Sequence, residues 1–124
     1  ETGRHIATDL LSSSTPFVVI EKNGERINQM QKIGHFLYIE GDATEDDVLL
    51  KANIRQAKGL VSALPQDRDN VFVILTAREL NSKLKIVSKV DEIEAQVKLK
   101  KAGADAIVSA NHIAGLRMAA EVKL

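Results

Sequence analysis

The strongest constraint on this chain is an alternation of two periods. Short β-branched runs, "PFVVIE", "HFLYIEGD", "GLVSALP", "LKIVSKV" and "DAIVSA", are separated by stretches whose apolar residues recur at helical spacing. "GERINQMQKIG" carries Ile27, Met30 and Ile33 as a stripe between two glycines. "TEDDVLLKANI" offers Thr44 as a cap, with carboxylates in the first turn that suit a helix N-terminus. "DNVFVILTAREL" fits a strand by its head and a helix by its tail. A cap at Asp69 or Asn70 and the helix-forming "TAREL" decide for helix. "EIEAQVKLKKAG" reads as a helix stopped by Gly103, and "NHIAGLRMAAEVKL" as a closing helix.

Strands that alternate with helices, and whose runs are apolar on both faces, specify a parallel sheet covered on both sides. The fold class expected is α/β, a Rossmann-like doubly wound parallel sheet. The chain opens on a helix, "ETGRHIATDLL", with Ile6, Ala7, Leu10 and Leu11 on one stripe. A βαβ unit needs a strand ahead of that helix, so the first strand is expected to be missing or truncated at the N-terminus. No repeat or linker interrupts the pattern, and 124 residues form one domain, 1–124, with a core of its own.

Composition narrows the partners. Seventeen basic residues offset seventeen acidic ones, so no net field draws the chain to nucleic acid or to an anionic membrane. The aromatics, Phe17, Phe36, Tyr38 and Phe72, offer no stacking platform for bases. The longest apolar run, Val71 to Leu75, is far short of a membrane span, so direct membrane insertion is not expected. The absence of Cys rules out disulfides and thiolate metal sites and fits a cytoplasmic setting. His5, His35 and His112 share no ligand spacing, and Ser12 to Ser14 have no His or Asp placed to make a triad.

The opening helix carries a second signal. In a dinucleotide-binding turn, G-x-G-x-x-G, the last glycine starts the helix, and an acid about twenty residues on holds the ribose. Gly3 fits the third glycine, with Thr2 at the variable position before it, and Glu21 closes the next strand eighteen positions later. By themselves these residues also fit a free chain end and a solvated strand-end carboxylate.

"ETGRHIATDLL", "VVIEKN", "IEGDATEDDVLLKANI", "ILTAREL", "KIVSKV" and "KLKKAGADAIVS" together resemble the RCK or KTN domains that gate potassium channels and Trk- or Ktr-type uptake systems. "HIAGLRMA" is most similar to the channel-linked branch. The resemblance covers the Rossmann-like N-lobe without its first strand and without the smaller subdomain that often follows. It implies a nucleotide cleft over the carboxyl ends of the strands, filled by NAD(H) or an adenine nucleotide (AMP, ADP or ATP) acting as a regulatory ligand.

Residue by residue, Glu21 matches the ribose-binding acid, followed by Lys22. Asp42, Ala43 and Thr44 match the "GDAT" turn near the adenosine, although Asp42 equally suits an Asx-turn. Ala63 and Leu64 match a backbone turn that approaches the ligand. Lys89 matches a basic position facing phosphate, more often Arg, or is an ordinary solvated lysine. Some channel-linked members bind calcium nearby; Lys89 stands in one of those positions, so no calcium site is expected at Asp91, and Glu92 and Glu94 read as helix N-terminal charge.

The function implied is a cytoplasmic sensing domain, at the inner face of the membrane, that gates potassium transport through nucleotide-biased rearrangement of an oligomeric ring. The partners are further copies of the chain, as a dimer or larger ring, and a channel or transporter pore. A fragment of a nicotinamide-dependent oxidoreductase and a nucleotide-free oligomerisation module are the alternatives; neither a proton-transfer group nor a substrate domain is evident for the first. "VFVIL" (71–75) wraps apolar side chains around a whole helix, which implies a second buried contact. Asp at Phe72 or Val73 is therefore expected to dissociate the oligomer and spare the fold.

Overall fold

A computed structural model describes residues 2–109 of the chain. The closing helix expected in "NHIAGLRMAAEVKL", and His112 with it, lie outside the described residues. The chain divides into two compact units, Glu1–Arg55 and Gln56–Leu124.

In the first unit, helix α1 (Thr2–Ser12) leads to strand β1 (Val18–Glu21), α2 (Gly24–Gln31), β2 (Leu37–Glu40) and α3 (Asp46–Lys51). The two strands are parallel, with Val18 opposite Leu37 and Glu21 opposite Glu40. Phe17 and Phe36 stack just ahead of the two strands, with ring centroids 5.8 Å apart, and so help to set that register. The α2 start is fixed by Asn23, whose side-chain oxygen accepts from the N–H groups of Glu25 and Arg26. Ala7, Ile27, Val48, Leu49 and Ile54 are its buried apolar side chains.

In the second unit, β3 (Gly59–Ser62), α4 (Asp67–Leu80), β4 (Lys85–Val90), a 3₁₀ turn (Ile93–Ala95), α5 (Gln96–Ala102) and β5 (Ala106–Ser109) follow in order. β4 is the central strand, parallel to β3 on one side and to β5 on the other. Its side chains alternate, with Ile86, Ser88 and Val90 buried; α4 and α5 pack on each other, and Val73, Ile74 and Ala77 of α4 and Leu99 and Ala102 of α5 are buried.

Three helices end in the same way. Ser14, Asn53 and Gly103 each adopt a positive φ within two residues of the ends of α1, α3 and α5. The residue beyond each donates its N–H back to the last turn: Thr15 to Leu10, Ile54 to Leu49 and Ala104 to Leu99. These are Schellman endings, in which a left-handed residue satisfies carbonyls the helix leaves open. Ile54 and Leu49, the positions that carry an apolar contact in this motif, are both buried.

Four local expectations are corrected. Thr44 does not cap α3; Glu45 occupies that position without a side-chain bond, because the Thr44 hydroxyl is spent on Asp42. Neither Asp69 nor Asn70 caps α4, which begins earlier, behind an extended Gln66, and turns Asn70 into the interior. "VFVIL" is not uniformly available for a second contact. Val73 and Ile74 are buried within their own unit, and Phe72 and Leu75 are exposed. Asp at Val73 would thus leave a charge in the core and unfold the unit, which removes it as a probe of assembly. Strand β2 is also less covered than its apolar run implies: Leu37 is 74% and Tyr38 49% exposed, because among the described residues β2 pairs with β1 alone.

Arg78 is the second unit's organising side chain. Its guanidinium donates from Nη1 to the carbonyls of Ser82 and Leu84, and from Nη2 to the Gly103 carbonyl and to Asp105 Oδ2 at 3.0 Å. Asp105 Oδ2 also accepts from the Ile86 N–H at 2.7 Å, which ties the entry of β5 to β4. The Ile86 hydrogen bond is the largest influence on the Asp105 carboxyl; with Arg78 and Lys85 it outweighs the opposing effect of desolvation and holds the group below its ordinary value.

Two outcomes follow. Gly103 sits at φ +125°, and a Cβ there would meet the Arg78 side chain at 3.1 Å. Gly103→Ala should cost about 1–2 kcal/mol in urea unfolding, from the positive φ alone. A lowered native pKa means the charged Asp105 stabilises fully above its unfolded value, near pH 4, and the contribution is lost as pH falls through the native one. Asp105→Asn should lower the midpoint at pH 7 and flatten the acid limb of an unfolding curve followed by circular dichroism.

Candidate functional site

The carboxyl ends of β1 and β2 bring together five of the residues singled out above. Parallel pairing places Glu21 level with Glu40, and the Gly41 N–H donates to the Glu21 carbonyl at 3.0 Å. Asp42 therefore follows at once beside Glu21 and Lys22. Space is tight at Gly41, where a Cβ would lie 3.0 Å from the Val48 side chain of α3. The glycine of the "GDAT" turn thus lets α3 close against the strand end.

Asp42 Oδ1 accepts from both the Thr44 N–H, at 2.9 Å, and the Thr44 hydroxyl, at 2.7 Å. The Glu45 N–H closes the turn on the Asp42 carbonyl. This is the Asx-turn, and it uses one carboxylate oxygen; Oδ2 has no protein hydrogen bond among the described residues. The Thr44 hydroxyl is the largest influence holding the Asp42 carboxyl below its ordinary value, followed by the Thr44 N–H, with Lys22 adding a favourable charge against the opposing effect of burial. Ala43 is half-buried between the two bonded residues.

Glu21 is turned the other way along its own loop. Its Oε2 accepts from the Asn23 N–H at 3.1 Å, and Oε1 lies 4.0 Å from the Arg26 guanidinium at the start of α2. About a quarter of its side chain remains accessible, 23%. Two acids, each with one oxygen fixing a turn, stand at adjacent strand ends. Such a pair can accept hydrogen bonds from a vicinal diol or an amino group.

Thr2 and Gly3 lie in the first turn of α1, where the spacing placed them. In the second unit, Ala63 and Leu64 follow β3, and Lys89 lies on β4 just past the Ser62 and Ser88 pair. The turn at Leu64 is clamped from α4 by Asn70, which is fully buried. Its Oδ1 accepts from Ser62 Oγ and the Leu64 N–H, and its Nδ2 donates to the Leu64 carbonyl. Asn70 was overlooked as a site residue. The signal for it is an amide inside an otherwise apolar helical stripe, where burial demands a polar partner. Glu40 was likewise passed over; its carboxylate lies against Gly24 at the start of α2, level with Glu21.

The segment after β4 is held through its backbone by an acid of α4. Asp67 of α4 accepts from the N–H groups of Asp91 and Glu92 at 2.8 Å each, Glu92 is the N-cap of the 3₁₀ turn, and Glu94 lies in its first turn. Among the described residues no three acids or histidines form a group able to hold a metal ion, and no helix is long and apolar enough to cross a membrane.

Parallel strands led on by helices, with acids and tight turns at their carboxyl ends, define a Rossmann-like α/β domain. Residues 1–110 match the family model of the TrkA-N domain, and the chain belongs to that family. It is 46% identical over 119 residues to a probable potassium channel protein 2 of Methanocaldococcus jannaschii, covering 94% of this chain and 35% of the relative. It is 32% identical over 117 residues to a Trk system potassium uptake protein TrkA homolog of Pyrococcus abyssi, covering 90% of this chain and 52% of that protein. The chain thus spans about a third to a half of the length of these two relatives. Among solved structures, the TrkA-N domain of the inner membrane protein ybaL from Escherichia coli shares the fold, with a TM-score of 0.85 at 22% identity over 98% of this chain and 89% of that one. The GsuK channel bound to NAD superposes with a TM-score of 0.73 at 28% identity, over 81% of this chain and 18% of that one; GsuK is also known bound to ADP.

Removing the Thr44 hydroxyl tests the local electrostatics. Thr44→Ala should move the Asp42 pKa up toward the ordinary carboxylate range, read as a carboxyl ¹³C chemical-shift titration. An unmoved Asp42 would show that the hydroxyl bond is not formed in solution.

Proposed function

We propose that this chain is a ligand-sensing domain of a potassium transport system, regulatory rather than catalytic, with NAD(H) or an adenine nucleotide as its ligand. The observation that carries the reading is the pair of strand-end acids, Glu21 and Asp42. Each has one oxygen committed to a turn, and Oδ2 of Asp42 is left without a protein partner among the described residues. Glu21 takes the ribose diol and the Asp42–Thr44 turn the adenosine end, with Ala43 supplying a small wall. Lys89 and the Ala63–Leu64 backbone are assigned to phosphate oxygens. The potassium channel and uptake relatives, and the NAD- and ADP-bound GsuK structures, support both the ligand class and the setting.

The regulated element is a pore, on the same polypeptide or an associated one, and the domain works at the cytoplasmic face of the membrane as a homo-oligomeric ring. Ligand shifts such a ring only through a difference in affinity between two arrangements. Tight binding alone moves nothing.

Glu21 selects against a 2′-phosphate, which would lose the diol bonds and meet a like charge. Lys22 does not reverse this, because its charge already supports the Asp42 carboxylate. Hydrogen bonds to a charged group are worth roughly 1.5–3 kcal/mol. Glu21→Ala should therefore weaken NAD or ADP by about ten- to over a hundredfold in titration calorimetry. Unmodified protein should bind NAD more tightly than NADP. Equal affinity for the two, or an Ala variant that binds as well as the parent, removes Glu21 from the site.

A further inference from the structure

The second unit segregates its charge along the strands. At the amino ends of β3 and β4 stand Lys58, Lys83 and Lys85, all exposed. Parallel pairing sets Lys85 level with Gly59, and the Lys85 N–H donates to the Lys58 carbonyl at 3.1 Å, so these positions adjoin across the sheet. Lys100 and Lys101, exposed in the last turn of α5, reach the same end: Lys100 Nζ donates to the carbonyl of Asp105, the residue ahead of β5. The acids there are Glu79, near the end of α4, and Asp105, which is committed to Arg78 and the Ile86 N–H. At the opposite end, Asp67, Asp91, Glu92 and Glu94 line one pocket, with Lys98 among them.

The zero net charge of the chain hides this division. β4 is six residues long, so lysines and acids stand about 20 Å apart at roughly 3.3 Å per residue. Neighbouring strands are only about 4.8 Å apart, and the Debye length at 0.1 M salt is about 10 Å. The lysines therefore act together on an approaching anionic surface, and salt screens the acids from it. Helix C-termini account for Lys100 and Lys101, where a cation suits the dipole. That reason does not cover Lys58, Lys83 and Lys85.

We propose that this amino-terminal edge of the second unit rests on an anionic lipid bilayer and is held there by charge, without insertion. A lysine is a compact point charge without the planar fork of Arg. The Arg at this end, Arg78, uses its guanidinium on three carbonyls and Asp105. The aromatic side chain of the unit, Phe72, lies in the middle of α4, so bases find no stacking surface at the edge. What the edge fits is a broad layer of negative charge rather than one phosphate or base. The inference rests on the reading of the domain as working at the cytoplasmic face of the membrane, and it adds an orientation: the carboxyl ends of β3 and β4 face away from the bilayer.

Cosedimentation of the full chain with vesicles of equal parts phosphatidylglycerol and phosphatidylcholine tests it, at about 0.1 M salt. The protein should bind these vesicles, leave vesicles of phosphatidylcholine alone, and lose binding as salt rises. Each lysine near such a surface contributes about fivefold, so Lys83→Gln with Lys85→Gln should weaken binding by about 25-fold. Lys98→Gln, at the acidic end, should stay within about twofold of the parent. Circular dichroism checks that the variants fold, and Lys58→Gln, expected to lose about fivefold, decides if the double variant does not. Absence of vesicle binding, equal binding to the neutral vesicles, or a Lys98→Gln loss as large as the double variant's overturns the inference. Tighter binding to duplex DNA than to the vesicles at the same salt overturns it as well. NAD titration of the same proteins separates the two readings: vesicle binding without NAD binding defeats the nucleotide assignment alone, and the converse defeats the membrane surface alone.

Discussion

A parallel strand that ends must hand its backbone to a turn without leaving N–H groups orphaned, and in this protein side-chain oxygens carry that obligation. Glu21 accepts from Asn23 after β1, and Asp42 accepts from Thr44 after β2. Asn70 accepts from Leu64 after β3, and Asp67 accepts from Asp91 and Glu92 after β4. Where the turn is part-buried, as at Thr44 and Leu64, an unpaired N–H would cost free energy comparable to a lost hydrogen bond. At the exposed turns the acid takes the place of water and fixes the conformation. The rest of the architecture follows, since each such turn sets where the next helix begins.

On the proposed reading, the same arrangement prepares the strand ends for a polar ligand. A side chain already bonded to its turn has fewer orientations to lose, so less ordering remains to be done when a ligand hydroxyl arrives. Asp42 is the clearest case: the two Thr44 bonds fix the side chain and favour its charged form, and they leave an oxygen over. Asn70 does the equivalent for the Leu64 backbone, whose N–H and carbonyl are both taken up by one buried amide. What a binding surface requires and what a strand-to-helix turn requires are here the same few atoms.

That overlap decides how much the sequence reveals. Strand and helix order was legible from periodicity, and so was the helical state of "DNVFVILTAREL", because β-branched runs and helical stripes differ over most of their length. Glu21 and Asp42 were legible as polar strand ends. Whether they serve turn or ligand was not, since both uses select Asp and Glu at that position. Asn70 was misplaced as a cap because composition near a helix start favours Asn there, whereas burial alone reveals its role. Arg78 was not legible at all. It sits in a helix-forming tail, and its partners, Gly103 and Asp105, are brought to it only by the packing of α4 on α5 and β5. Gly103 was read as a helix stop, and the structure adds a second reason for glycine, the Arg78 side chain at the place of its missing Cβ.

These constraints converge on α4. Its first turns hold the backbone after β3 and β4 through Asn70 and Asp67, and its end holds the entry of β5 through Arg78. Its middle is buried through Val73, Ile74 and Ala77, and the opposite side carries Phe72 and Leu75 into solvent. A rigid helix cannot move one of these contacts alone, because packed side chains transmit displacement with little give. Asn70, whose amide takes up both the N–H and the carbonyl of Leu64, is two residues from Phe72 on the same helix. The turn after β3 and the exposed side of α4 are thus joined by a single element. Displacing the Asn70 amide from that turn would shift the helix as a body rather than one side chain, because its buried side is close-packed.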